Sequence, residues 1–338
     1  MAKKKQASKR SRPTQQSRAR GKAQASPPGN PTQRKASAVA PRSAGVRGWV
    51  AGARLRTLPL AVAPVALGTA AAIAASPDGV YHWVRALAAL AVALLLQIGV
   101  NYANDYSDGI RGTDDHRVGP ARLTASGLVE PRRVRDVAFA CFGLAGLAGL
   151  FLVVTTQQWW LLAVGAVAIL AAWFYTGGRR PYGYNALGEV FVFVFFGLVA
   201  TAGTTYVQVL DVTSDTWLLA VAAGSFACAV LMVNNIRDID QDRVAGKRTL
   251  AVVVGPFAAR VLFTVFSLVP FVIAGGFTLI NSTALFVFFV LLMVLPAILI
   301  TWTARTAKEL ILALKLTSNA ALAYALLLSY AVALPYFR

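Results

Sequence analysis

From residue 57 onward the chain repeats one pattern, an apolar stretch followed by a short polar break. The stretches fall at 57–75, 84–106, 134–155, 158–176, 186–207, 216–236, 258–280, 283–303 and 318–337. Each approaches the roughly 20 residues that a helix needs to cross a hydrocarbon core about 30 Å thick. Ala, Leu, Val and Gly fill them without the strict alternation of a barrel strand, whose spans would be about 10 residues long. The expected fold is all-α, a polytopic bundle of nine transmembrane helices. In that setting every backbone polar group is satisfied within its own helix.

Polar residues change the picture at one end first. Residues 1–47 hold 13 Lys or Arg and few large apolar side chains, and no acid occurs before Asp78. Such a segment cannot bury enough surface to offset the entropy of ordering, so 1–47 is expected to be a disordered basic tail preceding a membrane domain over 48–338. Anionic lipid head groups are its expected partner. Nucleic acid is not, because no aromatic or folded element accompanies the charge. A cleaved signal peptide is not expected either, since no apolar core follows the first charges at the usual distance. With the tail cytoplasmic, nine spans leave only Arg85 and Arg338 of the 33 basic residues on the far side, as basic loops kept inside require.

Across 338 residues the chain is 57% hydrophobic and 14% charged, with net charge +19. A water-facing surface needs about a quarter of its residues charged, so a soluble globular enzyme is excluded. Cys141 and Cys228 sit in apolar runs and suit neither a disulfide framework nor a zinc site.

Seven of the 14 acids form two clusters at the ends of the second and sixth spans. Asn101, Asn104, Asp105 and Asp108 are spaced to share one helical face, as are Asn234, Asp238 and Asp242, while Asp240 points the other way. Like charges so placed need a cation. Mg²⁺ is the economical one, because it takes oxygen ligands and bridges carboxylates to phosphates. Arg111, Arg117, Arg122, Arg237, Arg243, Lys247 and Arg248 stand nearby, so carboxylates and cations together suit a magnesium-bound diphosphate. Glu189 lies inside an apolar stretch, where a substrate role and a structural polar pair are both open.

These motifs resemble the UbiA-type intramembrane aromatic prenyltransferases. Asn104, Asp105 and Asp108 match the family's Asn-Asp-x-x-Asp-x-x-x-Asp motif, whose last position falls on Gly112, with Asp114 two residues on. Asp238 and Asp242 match its Asp-x-x-x-Asp motif. Arg54-Leu-Arg-Thr-Leu-Pro59, Arg111-Gly-Thr-Asp114, Pro181-Tyr-Gly-Tyr184 and Gly246-Lys-Arg-Thr-Leu250 are similar to the branch acting on dihydroxynaphthoate. The resemblance covers residues 47–338.

It implies transfer of a polyprenyl chain from polyprenyl diphosphate to 1,4-dihydroxy-2-naphthoate, with loss of CO₂, giving demethylmenaquinone. The site would face the cytoplasm from the inner membrane. Catalytic Asp105, Asp108, Asp238 and Asp242, with Asn104, would hold Mg²⁺. Arg117, Arg122 and Lys247 would contact phosphate oxygens, and Asn101, Asn234, Tyr182 and Glu189 would bind substrate. Of Phe191, Phe193, Phe195 and Phe196, not all can point inward, and their expected role is to shape a slot for the prenyl tail. Three other readings stand beside this one: another acceptor such as 4-hydroxybenzoate or homogentisate, a secondary transporter, and a CDP-alcohol phosphotransferase whose motif is not completed after Asp108-Gly109.

Overall fold

The computed structural model describes residues 44–76, 82–113 and 122–337. The tail through residue 43, and with it nearly all of the predicted disordered segment, lies outside the described residues, as do Asp114 and Arg117. Among the described residues the structure is helical, with one isolated bridge between Asn185 and Arg248.

A short helix, α1 (Val46–Gly52), leads through a left-handed Arg54 into α2 (Pro59–Ala75), which Pro59 opens because its missing N–H costs nothing in a first turn. Next come α3 (Trp83–Ile110), α4 (Pro131–Thr156) and the shorter α5 (Leu161–Phe174). One long span is composite: α6 (Gly188–Val192), a π-helical stretch Phe193–Val199, and α7 (Ala200–Val209). Then follow α8 (Ser214–Val244), α9 (Leu250–Thr278), a 3₁₀ segment Ser282–Val290 running into α10 (Leu291–Thr303), and α11 (Leu310–Ala333). Within α9, Gly255 takes φ 83° before Pro256, and this breaks the helix one turn after it starts.

Each predicted apolar stretch coincides with one of these helical segments, and seven of them are long and apolar enough to cross a membrane. Two differ from the expectation. The first stretch, Pro59–Ala75, is preceded by a second helical segment, Val46–Thr57, bent from it by 48°, and the fourth shortens to Leu161–Phe174. Both are shaped by the site: the bend brings Arg54 and Thr57 to the central cavity, and the early end of α5 frees Tyr175 and Thr176 to reach it.

α8 is the axis of the fold. Of its most apolar window 78% is buried, against 17% for α3. It packs with α2, α9 and α11 around Phe226, Phe263 and Tyr324, and the Tyr324 hydroxyl donates to the Pro270 carbonyl at 2.6 Å. On the outside, Leu147, Val272, Leu279 and Leu292 are among many large apolar side chains left exposed. Water would penalise so much continuous apolar surface, whereas lipid accommodates it.

Arg85, one of the two basic residues expected on the far side, has a structural task. Its guanidinium donates to the Thr155 carbonyl at 2.8 Å and the Val207 carbonyl at 3.1 Å, closing the C-terminal ends of α4 and α7. A cation at two helix C-termini also meets favourable dipoles.

Candidate active site

α3 and α8 both run past their apolar stretches, so each carries its acidic motif as helix rather than loop. Between them lies a cavity of about 600 Å³. Asn101, Asn104 and Asp108 face it from α3, and Asn234, Asp238 and Asp242 face it from α8. Lys247, Arg122 and Tyr184 complete this polar end. The remainder is walled by Ala, Val, Leu, Ile and Phe from α2 to α8. Asp240 is directed outward and pairs with Arg243 at 3.5 Å.

Asp108 is the meeting point. Its Oδ1 accepts from the Tyr184 hydroxyl at 2.5 Å and lies 3.2 Å from Lys247 Nζ, while its Oδ2 lies 3.6 Å from Arg122 Nη2. Lys247 also stands 4.7 Å from the centre of the Tyr184 ring, within cation–π range. Burial first, and then the neighbouring Asp108, push the Tyr184 phenol well above its ordinary range, so it stays protonated and donates. The loop bearing Tyr184 is tied to the loop bearing Lys247 by Arg248 N–H donating to the Tyr184 carbonyl at 3.0 Å.

Around the other acids, Asn104 accepts from Thr176 Oγ1 at 2.7 Å and Asp242 from Thr249 Oγ1 at 3.3 Å. Asp238 is forked by its own neighbour: Arg237 Nε at 2.6 Å and Nη2 at 2.5 Å, with Nη2 also donating to Asn234 Oδ1 at 2.8 Å. Among the described residues no three acids, histidines or cysteines stand close enough to share one ion. The donors are hard oxygens arranged on two facing helices.

Residues 61–310 match the UbiA prenyltransferase family. This chain belongs to that family. It is similar to a Mycobacterium tuberculosis protein called 1,4-dihydroxy-2-naphthoate octaprenyltransferase, at 54% identity over 215 residues, which is 64% of this chain and 72% of that one. A Bacillus subtilis protein of the same name is 28% identical over 292 residues, covering 84% of this chain and 92% of its own. Among solved structures, the fold is shared with an apo UbiA homologue of Aeropyrum pernix, at TM-score 0.59 and 16% identity over 78% of this chain and 96% of that one. It is also shared with an Archaeoglobus fulgidus homologue bound to DMAPP and Mg²⁺, at TM-score 0.56 and 15% identity over 82% and 97%.

Two predicted site residues of this UbiA-family protein, Asp105 and Glu189, do not line the cavity. Asp105 is 1% exposed and does not line the cavity: its Oδ2 accepts from Leu123 N–H and its Oδ1 from Thr124 N–H, both at 2.9 Å. It lies at the edge of the α3 face, where it meets the 122–129 turn instead of the cavity, and it thereby sets the turn that begins with Arg122. Leu123, 1% exposed, plugs the same turn against Gly52 and Tyr102. Glu189 stands behind the cavity wall, its Oε1 accepting from Asn235 Nδ2 at 3.0 Å, so it orients a lining amide and does not reach the cavity itself. Tyr182 lines the cavity with its ring only, because its hydroxyl donates to the Ala171 carbonyl at 2.7 Å.

The sequence does not join Tyr184, which lies in the Pro181-Tyr-Gly-Tyr184 segment, to Asp108, nor does it mark Thr176 or Gln97 as cavity residues, since Tyr184 lies 76 positions from Asp108 and Thr176 lies 72 from Asn104. The phenylalanines divide as expected: Phe191, Phe195 and Phe196 line the cavity, while Phe193 packs on Gly224 of α8. Tyr182, Phe191 and Phe195 form a ladder of stacked rings, with centroid spacings of 4.0 and 6.2 Å.

Proposed function

We propose that this protein transfers a polyprenyl chain from polyprenyl diphosphate to 1,4-dihydroxy-2-naphthoate, releasing diphosphate and CO₂. The allylic C–O bond breaks with its pair leaving on diphosphate, one C–C bond to the ring forms, and the ring–carboxylate C–C bond breaks with its pair kept by the ring as CO₂ departs. Nothing is oxidised, so the immediate product is the dihydroxy form of demethylmenaquinone. The observation that carries the reading is the single cavity whose polar end joins two acid-and-amide helix faces to Lys247 and Arg122, and whose long remainder is apolar. A diphosphate fits the first part and an isoprenoid the second. The kinship with naphthoate prenyltransferases supports the acceptor.

The donor set suits Mg²⁺ in chemistry. Asn104, Asp108, Asp238 and Asp242 would hold it, with diphosphate oxygens and water completing a shell that Mg²⁺ rarely takes from protein alone. When bound, it neutralises charge developing on the leaving diphosphate. Lys247 and Arg122, already drawn to Asp108, turn their donors to phosphate oxygens and share that load. Apolar walls keep water from the allylic carbon, and the Tyr182, Phe191 and Phe195 faces offer an electron-rich surface beside it.

In this reading the chain crosses the cytoplasmic membrane nine times, counting the bent first pair and the short α5 each as a span. The N-terminus and the polar end of the cavity are cytoplasmic. The basic tail reports topology and attracts anionic lipid.

Membranes carrying the protein, supplied with both substrates, are expected to form the prenylated product with stoichiometric CO₂ in a Mg²⁺-dependent manner. Full activity in excess EDTA would overturn the metal assignment. Preference for 4-hydroxybenzoate or homogentisate in an acceptor panel would overturn the acceptor.

A further inference from the structure

We propose that Gln97 reads a ring hydroxyl of the aromatic acceptor and so acts as a specificity-determining residue. The inference rests on the proposed prenyl transfer to a hydroxylated ring. It concerns a part of the cavity that the diphosphate chemistry does not use.

Gln97 lies on α3 seven residues before Asn104, about 10 Å deeper along the helix at 1.5 Å per residue. It is 5% exposed and lines the cavity. Its Nε2 donates to Thr57 Oγ1 at 2.9 Å, but its Oε1 is buried with no hydrogen-bond partner. The orientation of the amide is dictated by Thr57. That hydroxyl spends its one proton on the Arg54 carbonyl at 3.0 Å, so it can only accept from the two amides that face it. One is Gln97. The other is Asn101, whose Nδ2 donates to Thr57 Oγ1 at 3.1 Å and to the Ala53 carbonyl at 2.9 Å. Flipping the Gln97 amide would set a lone pair against a lone pair. Its carbonyl oxygen is therefore held away from Thr57.

A buried carbonyl without a donor is costly, and this one lies on a residue that lines the cavity, where a bound molecule can supply the donor. Beyond Thr57 and Asn101 the neighbouring lining residues Leu60, Pro64, Leu96 and Val100 are apolar, and Arg54 lines the same cavity with a positive charge, so a neutral donor fits better than a second cation. In the proposed reaction the choice of ligand group is narrow. The prenyl chain has no donor, and the ionised diphosphate and carboxylate only accept. The ring hydroxyls of the acceptor remain. A hydroxyl on Gln97 would also fix the ring's rotation relative to the allylic carbon.

The test uses the full-length protein in lipid nanodiscs and measures dissociation constants for acceptor analogues with no prenyl diphosphate present, so that none can react. These are the dihydroxy ring with the 2-carboxylate replaced by a sulfonate, and its two deoxy counterparts, each lacking one hydroxyl. Binding is the readout, so ring nucleophilicity does not enter. Wild type is expected to bind one deoxy analogue about 10- to 100-fold more weakly than the dihydroxy compound. Gln97→Met, which keeps the volume and removes the amide, should bind both equally, with the KM for prenyl diphosphate unchanged. Thr57→Val leaves the amide free to rotate and should relax the same discrimination in part, which keeps the test available if Gln97→Met is poorly folded. Undiminished discrimination in folded Gln97→Met, or in Thr57→Val if it alone folds, would overturn the proposal. If wild type prefers another hydroxylated acceptor, the naphthoate reading fails on its own, and the same comparison with that acceptor and its deoxy analogue still decides the role of Gln97.

Discussion

Asp105→Asn separates two meanings of an aspartate inside an acidic motif. In the structure its carboxylate accepts two backbone N–H groups, those of Leu123 and Thr124, and faces away from the cavity. A hydrogen bond to a charged acceptor is worth about 1.5–3 kcal/mol. The isosteric amide keeps one oxygen for one N–H and turns an NH₂ toward the other, leaving a buried donor unpaired. Local opening of the 122–129 turn should then become easier by about 1–3 kcal/mol, or roughly 5- to 150-fold. Hydrogen exchange of a peptide covering that turn, read by mass spectrometry, measures this directly. Activity should fall as well, because Arg122 is carried by the turn. Asp108→Asn should abolish turnover while leaving the exchange of Leu123 and Thr124 near wild type. If Asp105→Asn is inactive yet its turn exchanges like wild type, Asp105 acts on the substrate itself and not through the turn.

Tyr184→Phe removes the 2.5 Å donor to Asp108 but leaves Lys247 and Arg122, so kcat/KM for prenyl diphosphate should drop by about 5- to 100-fold in enzyme kinetics without loss of fold. Because the folded-state pKa of Tyr184 is raised, whatever stability its protonated form confers is fully present below the ordinary tyrosine value of about 10 and is lost only as pH rises through the folded value. Activity between pH 7 and 9 should accordingly show no alkaline limb that Tyr184→Phe removes. Gly197→Ala would place a Cβ 2.6 Å from Gly224 Cα and 2.8 Å from the Ala220 carbonyl, a backbone clash costing about 1–3 kcal/mol, visible as a lower Tm in detergent. Gly143→Ala, with nothing within 4 Å, is the control and should hold or slightly raise Tm. Glu189→Gln keeps the carbonyl that accepts from Asn235 and discharges a buried group, so activity should survive, whereas Glu189→Leu should lose it.

Much of the fold could be read along the chain because lipid imposes a length and a composition on each helix. The α8 face of Asn234, Asp238 and Asp242 was readable for the same local reason: one helix and steps of four. On α3 that reasoning put Asp105 with Asn101, Asn104 and Asp108, and there it met its limit. Angular spacing says which side chains are neighbours on a helix but not what stands opposite, and opposite Asp105 stands a turn 18 residues further on. The link of Tyr184 to Asp108 and the place of Gln97 beside Thr57 escaped for a related reason, since both are set by partners across the bundle. The pairing of Arg237 with Asp238 was hidden by adjacency: consecutive helical residues normally diverge, and only the long guanidinium arm bends back.

The π-helical stretch within Phe193–Val199 carries a consequence for how this cavity can change. Along that span the lining residues step by four: Phe191, Phe195, Val199, Gly203 and Val207 in one row, Val192, Phe196, Ala200 and Thr204 in the next. In an α-helix each such step overshoots a full turn by about 40°, and the rows would wind out of the cavity. The wider turn of the π stretch undershoots, and the two errors offset one another. The stretch behaves as one residue inserted into an ordinary helix. Removing a residue there would rotate the ring-bearing end against the far end, exchanging the wall presented to the prenyl chain without altering any side chain in it. A change of slot shape is thus within reach of a single-codon deletion, a route to altered chain-length preference that substitutions at the polar end do not offer.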